Sequence, residues 1–403
     1  MLMQIPIVEK KIGWRIDIAK TSIRTFFNPI EALPTPLVKV VEIPDSISPS
    51  ITPGSSTSIP LQYTKTPKII MSSTATEDQE KIKTPLPDTI LLDADIYEPQ
   101  DWNNCGPVSL AMLLRYYGWE GNQYNISDEI KPLREDRNVN IEELDYYVKN
   151  NIWWLQSTYR VAGSIDLLRQ LLAAEIPVMI ESSFLMEEKF WYEDDRWAGH
   201  YLLLTGYDDL REVFIVQDSF KSANQTKSYE DLNNRWQHFN YAYLLVFPPE
   251  KEEQIQTILG SDWDVELNRQ HALNLAREEN LLDSQNPFSW FNLGSNLIYF
   301  EDYAQAAEAF DNARQLVLPQ RMLRYQFGPF LANFHAGRIE DLNALADYAL
   351  EVTPNSEEAL LWKGWALYRL GRKAEAATSF QKALEANPLY NDAQYALNYI
   401  NNN

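Results

Sequence analysis

Cysteine is almost missing from this sequence: among 403 residues there is one, Cys105. A single thiol excludes an intrachain disulfide and any zinc site built on several thiolates. Histidine is scarce too, with four in all: His200, His238, His271 and His335. Positive charge is outnumbered, with 35 lysines and arginines against 57 aspartates and glutamates and a formal net charge of -22. That balance opposes nucleic acid and anionic membranes as main partners, because phosphates would be repelled. No apolar run is long enough to span a bilayer. Residues 1–8 precede Glu9, Lys10 and Lys11, the reverse of the order in a secretion signal. A cytosolic chain is therefore expected unless an export or anchoring element lies elsewhere. Phosphate-binding glycine loops, metal-ligand clusters and flavin motifs are also missing, so no cofactor and no metal is expected.

What is present divides the chain into five stretches. Residues 1–27 hold a short amphipathic helix around Trp14, Ile18, Ile23 and Phe26, with Lys10, Lys11, Arg15, Lys20 and Arg24 on it. Such a helix can lie on a membrane. Docking on the rest of the chain is its commoner fate, and Asp17 and Glu31 oppose the membrane. Residues 28–87 are rich in proline, serine and threonine, which predicts an extended linker. Residues 88–249 show helical patterns first and strands afterwards, an α+β order. Helices are expected over 125–130, 140–149, 164–173 and 229–236, and strands over 158–161, 177–180, 201–205, 213–217 and 241–247. Residues 250–286 form a helical linker.

The last stretch, 287–403, repeats itself. Trp290, Leu293, Gly294, Ala306, Phe310, Ala313 and Pro319 make one copy, and Gly364, Gly371, Ala376, Phe380, Ala383 and Pro388 another. A degenerate copy between them keeps Gly337 and Ala349. Small residues let paired helices approach while aromatics fill the space between repeats, the tetratricopeptide pattern of about 34 residues. Residues 391–400 would be the helix that covers the last apolar face.

The chemistry centres on Cys105, in the segment Gln100-Asp101-Trp102-Asn103-Asn104-Cys105-Gly106-Pro107. Asn104 is a good helix cap and Pro107 suits a first turn, so the thiol sits at a helix N-terminus. The helix dipole there favours a thiolate. A buried, inert thiol is the plainer reading. A nucleophilic cysteine needs a base, and the base an orienting partner. His200 opens an apolar strand, and Asp218 ends the next one across the turn 208–211. A hairpin would bring the two together and set the histidine tautomer. His238 is the nearest rival but has no acid following on an adjacent strand; His271 and His335 lie in the helical part. Gln100 is either an ordinary loop residue or a donor to an oxyanion. The acids Glu187, Glu188, Glu193, Asp194 and Asp195 read as a solvated loop more readily than as a site for basic peptides.

The blocks QDWNNCGPVSLAMLLRYYGW, GHYLLLTGYDD and FIVQDSF resemble the bacteriocin-processing (double-glycine leader) peptidase family, in its stand-alone branch, over residues 97–247. The resemblance implies a papain-like fold, with Cys105 as nucleophile, His200 as base and acid, Asp218 orienting it and Gln100 in the oxyanion hole. It also implies work outside the cytoplasm or at the cell surface. The expectation is thus an α+β papain-like cysteine peptidase with an extended N-terminal arm. It would cleave a peptide or protein substrate and hold a protein partner on all-α repeats. The alternative is a peptidase-like binding module without turnover; amide or thioester formation at the same site is a third reading.

Overall fold

The strands of the first half alternate two kinds of apolar face, and that alternation builds three layers. The computed structural model describes residues 85–92, 95–133 and 139–402. The amphipathic segment 1–27 and the proline-rich stretch as far as residue 84 lie outside the described residues. In chain order come β1 (Thr89–Leu91), α1 (Cys105–Tyr116), α2 (Gln123–Ile130), α3 (Ile141–Asn151), β2 (Gln156–Arg160) and α4 (Ile165–Ala173). They are followed by β3 (Val178–Leu185), β4 (Trp197–Asp208), β5 (Val213–Asp218), β6 (Ser222–Ser228), α5 (Tyr229–Trp236) and β7 (Tyr243–Phe247). The strands form one antiparallel sheet in the order β2-β7-β3-β4-β5-β6, with β1 added beside the end of β4.

Successive strand residues point to opposite faces. Met179, Tyr201, Leu203, Leu244 and Val246 pack against α1 and α3, through Leu110, Leu114, Leu144 and Val148. Val178, Ile180, Leu202, Leu204 and Leu245 face the other way, onto Leu168, Leu171 and Leu172 of α4. Central strands covered on both faces read as continuous apolar runs, and so β3 and β4 extend well beyond the expected 177–180 and 201–205. His200 consequently lies inside a strand rather than at its mouth. Strand β6, with the polar sequence SANQTKS, alternates exposed and half-buried positions along an edge. It carries no apolar signal, and the sequence reading missed it.

Two helices, α6 (Glu252–Leu259) and α7 (Val265–Leu282), lead into the repeats. The repeats are α8 (Pro287–Tyr299) with α9 (Tyr303–Gln315), α10 (Gly328–His335) with α11 (Ile339–Val352), and α12 (Glu357–Arg369) with α13 (Lys373–Ala386). Helix α14 (Asn391–Asn402) closes the array, its Ala393, Ala396 and Ile400 buried against the last pair. A Cβ on Gly294 would stand 2.7 Å from Phe310, so the first helix pair can close only without one. Gly364 meets Phe380 in the same way in the last pair. Among the described residues no helix is long and apolar enough to cross a membrane.

The repeats are not a separate bead. Trp191, Trp197 and Phe239 of the α+β part share one buried cluster with Phe291, Phe310, Met322 and Phe330. Asn240 and Asn296 exchange side-chain hydrogen bonds at 2.8 and 3.2 Å, and Asn292 donates to the Gln237 carbonyl at 2.8 Å. The described residues from 86 to 402 accordingly group as one compact unit.

Candidate functional site

Cys105 is the first residue of α1, as expected, but Asn104 does not cap the helix with its side chain. Its amide instead donates to Gln123 Oε1 at 2.8 Å, and that oxygen also accepts from the Asp101 backbone at 2.7 Å. Gln123 Nε2 donates to Glu98 Oε1 at 2.7 Å and to the Pro99 carbonyl at 3.0 Å. One buried glutamine therefore holds the whole approach to the cysteine. Nothing in the sequence marked it out, since its partners lie about two dozen positions upstream.

Strands β4 and β5 pair with Leu203 opposite Gln217, which brings the end of β5 beside the start of β4. His200 Nε2 and Asp218 Oδ1 are 3.0 Å apart, and both residues are buried. The Asp218 carboxylate also accepts from the backbone of Phe220 at 3.1 Å, and Lys227 Nζ stands 3.8 Å away. Cys105 hydrogen-bonds to the same imidazole. Phe184 and Phe220 flank the ring, with centroids 5.2 and 6.5 Å away. Gln100 is tied to the same corner: its Oε1 accepts from Ser219 Oγ at 3.0 Å, and its backbone N–H donates to the Ser219 carbonyl at 3.0 Å. The four singled-out residues thus come together.

Their electrostatics follow from that contact. Burial pushes the Cys105 thiol up, but the hydrogen bond and charge of His200 outweigh it, with help from the backbone of Tyr201 and Gly106, and hold it below its ordinary value. Burial pushes His200 down; Asp218 and Cys105 more than reverse this and lift it to about 9. Asp218 is held low, burial notwithstanding, by His200 and Lys227. Glu181 of β3, which pairs with Tyr201, joins the group unannounced. Burial, with Glu142 and Cys105 nearby, pushes its carboxyl well above the usual range.

The other histidines are occupied elsewhere. His238 Nδ1 accepts from Trp197 Nε1 at 3.0 Å, lies 2.6 Å from Ser183 Oγ and stacks on Phe288, so it serves the junction with the repeats. His271 pairs with Asp262 at 2.9 Å, and His335 stacks on Tyr303. The space beside Gly199 is not open to His200's neighbours: a Cβ there would be 2.9 Å from both Phe239 and Tyr325. The acidic loop is not simply solvated either. Asp194 is buried against Arg321 of the repeat region, Oδ2 to Nη2 2.5 Å. Among the described residues, no group of three or more His, Cys, Asp or Glu side chains is placed to hold a metal ion.

Residues 91–244 match a family described as Peptidase_C39 like, and residues 357–390 match the tetratricopeptide repeat. No curated protein matches the chain. Among solved structures, a chain described as a C39-like peptidase from Bacillus anthracis is 17% identical. That likeness covers 40% of this chain and 98% of that one, with a TM-score of 0.31. The MamA RS-1 ArsTM double mutant is also 17% identical, over 33% of this chain and 74% of that one, with a TM-score of 0.31. Both scores are too low to carry an argument.

These findings correct the expected activity. The matching family is described by its likeness to C39 peptidases and not by a reaction. His200 and Asp218 are buried and Cys105 is half-buried, and mutual hydrogen bonds are how withdrawn polar groups are satisfied whether or not they react. Hydrolysis needs, in addition, room for a carbonyl against the sulfur and donors aimed at its oxyanion. Because that likeness names no reaction, the expected thiol-hydrolase activity is not carried over to this chain, and the module without turnover is the reading taken up below.

Proposed function

We propose that this chain, a C39-like peptidase domain joined to tetratricopeptide repeats, is a protein-binding scaffold that does not turn its partner over. The observation that carries this reading is the single hydrophobic cluster running from Trp191, Trp197 and Phe239 into the repeats. A shared core makes the two parts one rigid support, and helical repeats mostly mediate protein contacts. On this reading the α+β part is papain-like in arrangement: a helix headed by Cys105 lies on the sheet that carries His200 and Asp218. We assign Cys105, His200, Asp218 and Gln100 as the polar centre that holds the start of α1 against β4 and β5. The partner is a protein or peptide.

The test compares the wild-type chain with Cys105→Ala. The variant, folded normally, should keep partner binding and cellular phenotype, and neither chain should release new N-termini from a peptide library. New termini produced by the wild type and lost in Cys105→Ala would overturn the proposal.

A further inference from the structure

On the side of the sheet away from Cys105, the segment that leads to the repeats leaves a cavity of about 440 Å³. Its apolar lining comes from Leu167 of α4, Ile258 of α6 and Leu275 of α7. The polar side chains that matter are Tyr241, Asp262, His271 and Glu279, and the lining contains no lysine or arginine.

The two acids differ in how they are satisfied. Asp262 already has a partner, His271 Nδ1, at 2.9 Å. Glu279 is half satisfied: Oε1 accepts from the Tyr241 hydroxyl at 2.5 Å, while Oε2 is buried with no hydrogen-bond partner. Burial, the strongest influence, pushes the carboxyl up, and the Tyr241 hydroxyl and then the Gln237 side chain draw it partway back. A buried carboxylate oxygen without a donor is disfavoured, because it has given up water and gained no partner in return. A ligand that brings both a donor and a positive charge removes that penalty, and its aliphatic stem can lie on the leucines.

We propose that this cavity binds an alkyl guanidinium or alkyl ammonium group, anchored on Glu279. The group arrives either as a free small cation or as an arginine or lysine side chain of a peptide. A neutral isostere has the same stem and cannot replace the charge.

Calorimetric titration of the full chain tests this with n-butylguanidinium, n-butylammonium, n-butylurea and a capped tripeptide with a central arginine. Either cation should bind at least about tenfold more tightly than butylurea, the difference one charge-assisted hydrogen bond makes. A tripeptide tighter than butylguanidinium marks a peptide as the source, and a weaker one marks a small molecule. Glu279→Gln keeps an acceptor for Tyr241 and should bring the cations to the level of the urea, while Cys105→Ala should bind them as the wild type does. Equal binding of butylurea and butylguanidinium by the wild-type chain would overturn the proposal whatever the variants do. So would unchanged cation binding in a folded Glu279→Gln chain, or no detectable binding of either cation.

Discussion

Arg321 and Asp194 form an ion pair withdrawn from solvent, Nη2 to Oδ2 2.5 Å, with relative exposures of 2% and 3% for the residues. The pair joins the repeat region to the loop that precedes the His200 strand. Arg321 also donates to the Trp197 carbonyl at 3.0 Å and lies 4.1 Å over the Trp191 ring. Asp194 accepts from the backbone of Phe190 and Arg196, each at 2.8 Å. Removing one partner of such a pair strands the other charge, which is destabilising by about 3–5 kcal/mol. Arg321→Ala should lower unfolding stability by that order in denaturant melts and expose the 187–196 loop to limited proteolysis. A loss below about 1 kcal/mol would show that the apolar cluster alone holds the junction.

Gly294 and Phe310 make a second close relationship, since an added Cβ would lie 2.7 Å from the ring. Overpacking of this kind is destabilising by about 1–3 kcal/mol. Gly294→Ala should show that loss in a thermal or denaturant melt, and adding Phe310→Leu should recover part of it. Gly364→Ala against Phe380 should behave alike, because the same contact recurs in the last repeat.

His238 gives the junction a pH dependence. Burial, then the charge of Arg235, pushes it down to about 3 from an ordinary value of 6.5. The folded protein therefore keeps the ring neutral where the unfolded chain would protonate it. Its contribution is fully present above about pH 6.5 and falls as pH drops toward 3, by up to about 1.4 kcal/mol per unit. His238→Gln keeps an acceptor for Trp197 Nε1 without titrating. Denaturant midpoints measured from pH 7 to pH 4 should fall less steeply in that variant than in the wild type.

The Cys105 thiol should titrate below a free cysteine whether or not it turns anything over. Iodoacetamide labelling followed against pH should show that displacement in the wild type. In His200→Ala the hydrogen bond and charge are gone while burial remains, so the profile should move upward. An unmoved profile would mean that His200 does not act on the sulfur.

Much of this was legible locally. The helix from 105, the helix over 229–236 and the two clear repeats are visible because their apolar residues recur at helical spacing and their contacts are with near neighbours in sequence. His200 and Asp218 were within reach for a related reason: one short turn joins their strands. Strand β6 was not, because an edge strand with polar residues on both faces has no periodic signal. Gln123 and Glu181 were not either, as each acts only through a loop or strand that the fold brings to it.

By itself, then, the sequence determined the order of the elements apart from the edge strands β1 and β6, and the polar trio around Cys105, through patterns that chain neighbours enforce. Tertiary structure alone decided what those elements amount to. The acidic run around Asp194 reads as a solvated loop until Arg321, 127 positions later, is packed against it. Trp197 and Phe239 read as ordinary strand and loop aromatics until Tyr325 and Phe291 close over them in one cluster. Burial depends on surfaces distant in the chain, and no local pattern records which of them will meet.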